Sequence, residues 1–179
     1  MVSVRERSRE LGSRSRNYYE RGSFDRGFEL LTTALAVFQK APDEDPEMLA
    51  DTVVSLSACT KEMNSPEQHL FYAKWQHKLR LQHPSEDILL NGMAYTQLAS
   101  AYHQVGRHEE AIELARKGRA INVTSPEYLS GQYYPFYAMI YEVLPLMALK
   151  QNVEASKSLE EAIAWRESKY GKDDTKSFQ

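Results

Sequence analysis

Histidines at helical spacing are the first residues in this sequence that could carry out chemistry. The segment "HEEAI" at residues 108–112 begins like a motif in which two histidines, four residues apart on a helix, bind zinc beside a catalytic glutamate. The second histidine of that motif is replaced here by Ile112, so one ligand is missing. His69 and His77 are eight residues apart, about 12 Å along a helix, which is too far to share an ion. The sequence therefore predicts no metal site.

Other reactive side chains also lack the partners that catalysis needs. Cys59 is the only cysteine and has no base suggested by the sequence around it, which favours a small residue buried between helices. Glu109, Glu110 and Glu113 form one charged helix face rather than a catalytic pair. No glycine-rich phosphate-binding loop occurs. We therefore expect no catalytic residue, no cofactor and no enzyme activity.

Composition limits the classes of partner and compartment. The chain has 179 residues, a net charge of -3 and 42% hydrophobic residues, which is typical of a single globular domain over residues 1–179. No apolar run reaches the ~20 residues that would span a bilayer, so no membrane association is expected. A lone cysteine excludes an internal disulfide, and we expect a cytoplasmic protein, with the nucleus as an alternative.

The N-terminal segment "RERSRELGSRSR" is the one basic stretch. Its five arginines could contact RNA or an acidic partner. Glu6 and Glu10 interrupt the positive charge and no aromatic residue is interleaved, so we favour a solvated first helix and do not expect a nucleic-acid partner. If that helix forms, Arg9 and Arg16 lie on the helix face that corresponds to the groove positions given below.

An internal repeat organises nearly the whole chain. Gly22, Asn64 and Gly106 are spaced by 42 residues, and so are three prolines, at positions 42, 84 and 126. Such residues end one helix and allow another to begin. Four helix-turn-helix units follow, at about 5–40, 46–82, 87–122 and 127–169, with 170–179 as the start of a further repeat or a tail. The predicted first helices are 5–20, 47–62, 88–104 and 135–149, and the second helices are 24–40, 66–82, 108–121 and 153–169.

The third unit shows how the two helices of a unit fit together. Closely packed helices need small residues where they cross, which Ala99 and Ala111 supply, with Tyr102 filling the space beside them. Gly106 is predicted to form the turn. One unit cannot bury its apolar face alone, so the units are expected to stack on one another.

These positions resemble the tetratricopeptide repeat (TPR). The residues that carry the resemblance are Tyr95, Leu98, Ala99, Tyr102, Gly106 and Ala111. A period of 42 exceeds the usual ~34, and "WRESKYGKDDT" at 165–175 resembles the linker of the long-repeat, kinesin-light-chain-like subgroup. The resemblance implies an all-α, right-handed superhelical solenoid. Departures are Ala115, His69, Arg14 and Ser15 at pattern positions, and a proline, Pro145, that should kink the first helix of the fourth unit.

The resemblance also implies a concave groove, lined by the first helices, that binds a peptide or helix of a partner protein. The groove positions carried over from the family are Asp51, Val54, Ala58, Lys61, Glu62, Met93, Thr96, Ser100, His103, Gln104, Tyr137, Ile140, Tyr141, Leu144 and Met147. The fourth unit would supply an apolar pocket for an anchoring side chain, or be covered by another helix of the same protein. The lysine and asparagine that clamp a chaperone's C-terminal carboxylate in some family members are replaced by Val54 and Ala58, or by Thr96 and Ser100. Co-chaperone activity is therefore not expected.

The resulting interpretation is a non-catalytic scaffold for protein-protein interaction. Two alternatives remain: the repeat portion of a larger regulatory protein of the NLR-like class, or an enzyme that uses the helical layer as a substrate clamp. Ile163 and Trp165 lie near the end of the last helix, where a polar cap is usual. We therefore also consider that the chain is a fragment, or that this end docks on a partner or on a second copy.

Overall fold

The computed structural model describes residues 4–38, 46–126 and 140–171. Within these segments the secondary structure is helical, without strands. The described segments contain eight helices with defined bounds, namely α1 (Val4–Glu20), α2 (Phe24–Phe38), α3 (Pro46–Glu62), α4 (Pro66–Gln82), α5 (Ile88–Gln104), α6 (His108–Asn122), α7 (Val143–Ala148) and α8 (Asn152–Tyr170). None of the helices in the described segments is both long enough and apolar enough to cross a bilayer.

The helices belong to two compact units, Met1–Ser85 and Glu86–Gln179. In the first unit α1 packs on α2, α3 packs on α4, and α1 and α2 both contact α3. In the second unit α5 packs on α6, α6 on α7, and α7 on α8. The predicted organisation into adjacent helix pairs is therefore confirmed, whereas a single domain over residues 1–179 remains a prediction.

Each unit has its own apolar core. In the first unit, Leu31, Val53 and Leu56 are at most 2% exposed and form the centre of a cluster between α2 and α3. In the second unit, Ile112, Val143 and Leu146 join α6 to α7. These contacts explain why helices of this length are stable, because most helical stability in proteins comes from packing of the apolar face.

The turn between the two helices of a pair has one geometry, repeated four times. The second residue after the first helix has a left-handed φ, which is 71° at Gly22, 53° at Asn64, 79° at Gly106 and 59° at Lys150. Its N–H donates to the carbonyl three residues earlier, and the next N–H donates to the carbonyl five residues earlier. This is the Schellman motif, which satisfies the last carbonyls of a helix. The turn predictions at Gly22, Asn64 and Gly106 are confirmed, and Lys150 occupies the same position in the fourth pair.

The small residues predicted at the helix crossing are buried. Ala99 and Ala111 are both 0% exposed. In α1, where the sequence departs from the TPR pattern, the Ser15 hydroxyl donates to the carbonyl of Gly27 at 3.1 Å, so serine fulfils the small-residue role. The equivalent positions in the other pairs are also buried, namely Ser57, His69, Val143 and Ala155.

The closest approach of α5 and α6 lies two turns away from that crossing, at a pair of glycines. A Cβ atom on Gly92 would lie 1.8 Å from Oδ1 of Asn122 and 2.8 Å from the carbonyl oxygen of Gly118. A Cβ on Gly118 would lie 2.7 Å from the carbonyl oxygen of Gly92. No larger residue fits at either position without moving a backbone. The sequence analysis did not identify this contact.

The first helix of the fourth unit differs from its prediction. The helix predicted over 135–149, with a kink at Pro145, is broken rather than kinked in its described part, because Tyr141 and Glu142 form a turn and α7 begins at Val143. The ring of Pro145 would clash with the carbonyl of residue 141 in a continuous helix. Beginning the helix at Val143 places Pro145 in the first turn, where its missing N–H has no intrahelical partner to lose.

Candidate functional site

A groove runs between α1 and α3 in the first unit. Its volume is about 690 Å³. One wall is α1, the other is α3, and Leu31 of α2 lies at its base. The lining residues are Arg9, Gly12, Ser13, Ser15, Arg16, Tyr19, Leu31, Met48, Asp51, Thr52, Val54, Ser55, Ala58 and Cys59.

The base of this groove is a tight contact between three helices. Leu31 is 2% exposed and Cys59 is 1% exposed. A Cβ on Gly27 would lie 3.5 Å from the sulfur of Cys59, so α2 and α3 approach closely beneath the groove. Burial, and secondarily the charge of Glu62, raises the pKa of the Cys59 thiol to about 11. The thiol is therefore protonated at neutral pH and acts as a small apolar group.

The charged side chains of the groove are unequal in their pairing. Asp51 on α3 faces Arg80, whose Nη2 lies 3.9 Å from Oδ1 of Asp51 and whose Nη1 lies 2.7 Å from Oε2 of Glu47. Arg9 and Arg16 on α1 are exposed, and no carboxylate in the described segments forms an ion pair with either. The groove therefore has two uncompensated positive charges on one wall.

The predicted groove positions of the second helix-turn-helix repeat, residues 51–62, divide into two sets. Asp51, Val54 and Ala58 line the groove. Lys61 is half-buried and Glu62 is exposed at the C-terminal end of α3, and neither is a lining residue.

The first repeat supplies the opposite wall, which the sequence analysis treated only through Arg9 and Arg16. Arg9, Gly12 and Arg16 lie 42 residues before Asp51, Val54 and Ala58, respectively. The same offset would therefore have identified Gly12 as well. Met48, Thr52 and Ser55 carried no such signal.

The predicted positions on α5 are only partly accessible. Met93, Ser100 and His103 are half-buried and Gln104 is exposed. Thr96 is 2% exposed, its hydroxyl donates to the carbonyl of Met93 at 3.0 Å, and its methyl group lies against Gly118. Thr96 therefore packs between α5 and α6 and has no surface to offer a partner.

The predicted positions of the fourth unit form an exposed apolar edge. Leu144 is 58% exposed and Met147 is 55% exposed on α7. Ile140 and Tyr141 are half-buried before that helix. Tyr137 lies outside the described residues. At the end of α8, Ile163 is 43% exposed.

A second cavity, of about 450 Å³, lies between α6, α8 and the turn before α7, and most of its lining residues are charged. Its centre is Glu142, 3% exposed, which accepts hydrogen bonds from Arg116 at 3.2 Å, Arg119 at 3.4 Å and the Ser158 hydroxyl at 2.5 Å. Arg116 also forms an ion pair with Glu154 at 3.0 Å, and Arg119 forms one with Glu161 at 2.5 Å. With Lys157, which also lines this cavity, three cationic side chains face three carboxylates, so the network holds three helices together rather than offering a free charge to a ligand.

Histidines come together only at the α5–α6 turn. Nδ1 of His103 lies 3.1 Å from Nδ1 of His108. Burial, together with the neighbouring His108, lowers the pKa of His103. In the described part of the chain, no group of three or more histidine, cysteine, aspartate or glutamate side chains is arranged to hold a metal ion.

Solved structures share the fold of this chain. The crystal structure of nearly identical TPR-like repeats, assigned to a kinesin light chain of Podosopora anserina, has a TM-score of 0.79 at 18% identity, over 99% of this chain and 82% of that chain. BtubC (BKLC) from P. vanneervenii has a TM-score of 0.82 at 16% identity, over 97% of this chain and 68% of that chain. These two structural similarities confirm the predicted all-α, TPR-like fold. No protein-family model matches the sequence, and no curated protein matches it.

Proposed function

We infer from the TPR-like repeat fold of this chain that it is a non-catalytic scaffold, and we propose that its α1/α3 groove binds an extended, acidic segment of a partner protein. The fold by itself does not specify a function. The observation that carries the proposal is the groove itself, which unites the predicted positions Asp51, Val54 and Ala58 with the unpaired Arg9 and Arg16.

The spacing of the two arginines sets the spacing of their partners. Arg9 and Arg16 are seven residues apart on α1, so they lie on one face of the helix about 10 Å apart. An extended chain in the polyproline II conformation rises about 3.1 Å per residue and has three residues per turn, so side chains three residues apart lie on the same face. Two carboxylates three residues apart in the bound segment would therefore each reach one guanidinium, which can hold a carboxylate through two hydrogen bonds.

The other wall provides the apolar part of the interaction. Val54, Ala58 and Met48 leave a shallow apolar strip on α3. Small and medium side chains of the bound segment would cover this strip, while Ser13 and Ser55 supply hydroxyls for its backbone. The helices on both sides are rigid, which lowers the entropy cost of binding. Further candidates for partner contact lie in the second compact unit, Glu86–Gln179, namely Met93, Ser100, His103, Gln104 and Leu144.

The proposal is tested with labelled octapeptide pools and the full chain. One pool has glutamate at two positions three residues apart, and the matched pool has lysine at both. We expect fluorescence anisotropy to show binding of the glutamate pool only, weakened at least tenfold in Arg9→Glu and Arg16→Glu and by added salt. Arg7→Glu, the same charge change on the same helix outside the groove, should bind like the wild type. Equal binding of the two pools, or no effect of the groove variants, would show that the proposal is wrong.

A further inference from the structure

The two imidazoles at the α5–α6 turn have no part in the α1/α3 groove. His103 is in the last turn of α5 and His108 is the first residue of α6. The left-handed turn at Gly106 fixes their separation, because Gly106 N–H donates to the carbonyl of His103 and Arg107 N–H donates to that of Tyr102. His108 has no histidine partner at position 112, whereas the fold brings it to a histidine on the preceding helix.

We propose that His103 and His108 form a binding site for a divalent transition-metal ion, and specifically for Zn²⁺. Their Nδ1 atoms are 3.1 Å apart. With Zn–N bonds of about 2.0–2.1 Å, this separation corresponds to an N–Zn–N angle of about 100°, which is close to tetrahedral. Both nitrogens are therefore already close enough together to share one ion. Each ring must turn from its partner's nitrogen toward the ion when the ion binds.

The protonation of the pair suits this role. In the described structure each ring has the other as its hydrogen-bond partner, so the ring that carries its proton on Nδ1 changes to the Nε2–H tautomer when both Nδ1 atoms bind the ion. A neutral imidazole is the form that binds a metal ion. Arg107 and Glu110, the charged side chains of the turn, are paired with each other, and Arg107 lies over the ring of Tyr102 at 4.4 Å. The arginine charge is therefore offset by Glu110.

Two protein ligands define the class of site. Imidazole nitrogen is a favoured ligand of zinc, and the described residues place no third histidine, cysteine or carboxylate in reach. Two coordination positions are therefore left for water or for a donor from another molecule. An open site of this kind binds more weakly than a structural zinc site, whose four ligands all come from the protein.

The experiment is a titration of the full chain with ZnCl₂ at pH 7.5 by isothermal calorimetry. We expect one equivalent to bind in the wild type, with affinity at least tenfold weaker in His103→Asn and in His108→Asn and progressively weaker as the pH falls below 6. His83→Asn is the matched control, because His83 is exposed at the end of α4 and outside the pair; its affinity should equal that of the wild type. Circular dichroism of each variant checks that the fold is retained.

A second measurement uses the unmodified chain. Long-range ¹H–¹⁵N spectra of the imidazoles should show the Nδ1 signals of His103 and His108 shifting together on addition of one equivalent of Zn²⁺. The proposal is overturned if the wild type binds no Zn²⁺ below about 1 mM, if the two variants bind like the wild type, or if other imidazoles shift first. Any of these results would leave the pair as a hydrogen bond alone.

Discussion

Two helix pairs of the second unit are held together in opposite ways. α5 and α6 meet through glycine and alanine, with backbone against backbone at Gly92 and Gly118. α7 and α8 meet α6 through the apolar cluster of Ile112, Val143 and Leu146 and, beside it, through the polar network around the buried Glu142. The first contact depends on the absence of side-chain atoms and has no way to adjust, whereas the second is distributed over several charges that can rehydrate. The two regions should therefore respond differently to single substitutions.

The largest expected effect is at the glycine contact. Gly92→Ala should lower the free energy of unfolding by about 2–3 kcal/mol, because the new Cβ overlaps Asn122 and the backbone of Gly118. Gly12→Ala is the matched control, since Gly12 is inside α1 with no atom within 4 Å of the added Cβ; it should raise the free energy by about 0.5–1 kcal/mol. Chemical denaturation of both variants measures the difference. Equal effects of the two substitutions would contradict the close approach at Gly92.

The next effect is at the centre of the polar network. Glu142→Ala should cost about 2 kcal/mol, less than the 3–5 typical of a fully buried pair, because Arg116 is 53% exposed and keeps its contact with Glu154. Glu154→Gln, which removes the exposed partner of the same arginine, should change the unfolding free energy by less than about 0.5 kcal/mol. Denaturant titrations of both variants provide the test. A larger loss in the Glu154 variant would reverse our assignment of the centre.

A smaller effect is expected at the turn of the α5/α6 pair. Gly106→Val should cost about 1–2 kcal/mol, because φ is +79° and no neighbouring atom compensates for the strain of a branched side chain. Gly106→Asn should cost much less, since Asn64 adopts the same conformation in the first unit. Thermal melting compares the variants, and an unchanged melting temperature for the valine variant would contradict the left-handed turn.

At the corresponding turn of the α7/α8 pair, we expect a substitution to change the free energy of unfolding in the opposite direction. Lys150 holds a left-handed φ of 59° without the freedom of glycine. Lys150→Gly should therefore raise the free energy of unfolding by about 0.5–1 kcal/mol. Lys157→Gly, an exposed helical lysine of α8, should lower it by about 1 kcal/mol. If both lysine variants are destabilised alike, position 150 is not strained.

The smallest effect concerns pH at the edge of the network. The hydrogen bond from Arg119 lowers the pKa of Glu161 below its ordinary value of 4.5. A lowered folded-state pKa stabilises the protein above the unfolded value, and this contribution disappears as the pH falls through the folded value. Glu161→Gln should therefore cost a fraction of 1 kcal/mol at pH 7, and the difference from the wild type should shrink below pH 4.5. A difference that is constant from pH 7 to pH 3 would argue against this ion pair.

Local patterns in the sequence were sufficient for most of the helices and their turns. The 42-residue spacing identified Gly22, Asn64 and Gly106 because a left-handed turn favours glycine or asparagine over other residue types. Ala99 and Ala111 were identified in the same way, since a close helix crossing excludes large side chains. The left-handed turn at Lys150 was not predicted, because lysine is not a typical turn residue and only the packing of α7 and α8 imposes its conformation.

The groove was less predictable than the helices that form it. Asp51, Val54 and Ala58 follow from helical periodicity, because residues three and four apart share one face. Thr96 satisfies the same periodicity but is buried, since the close approach of Gly92 and Gly118 brings α6 against it. A repeat pattern specifies which face a residue is on, but not how near the neighbouring helix comes.

By itself, the sequence determined that this protein is a series of helix pairs with small residues at their crossings, because turn and packing preferences act over a few residues and repeat along the chain. Only the tertiary structure decided which charges compensate each other and which do not. Glu142 with its arginines, Arg80 with Asp51, and His103 with His108 are joined across turns or between helices that the spacing of residues does not relate. Electrostatic pairing depends on distances through space, and packing of the folded chain sets those distances.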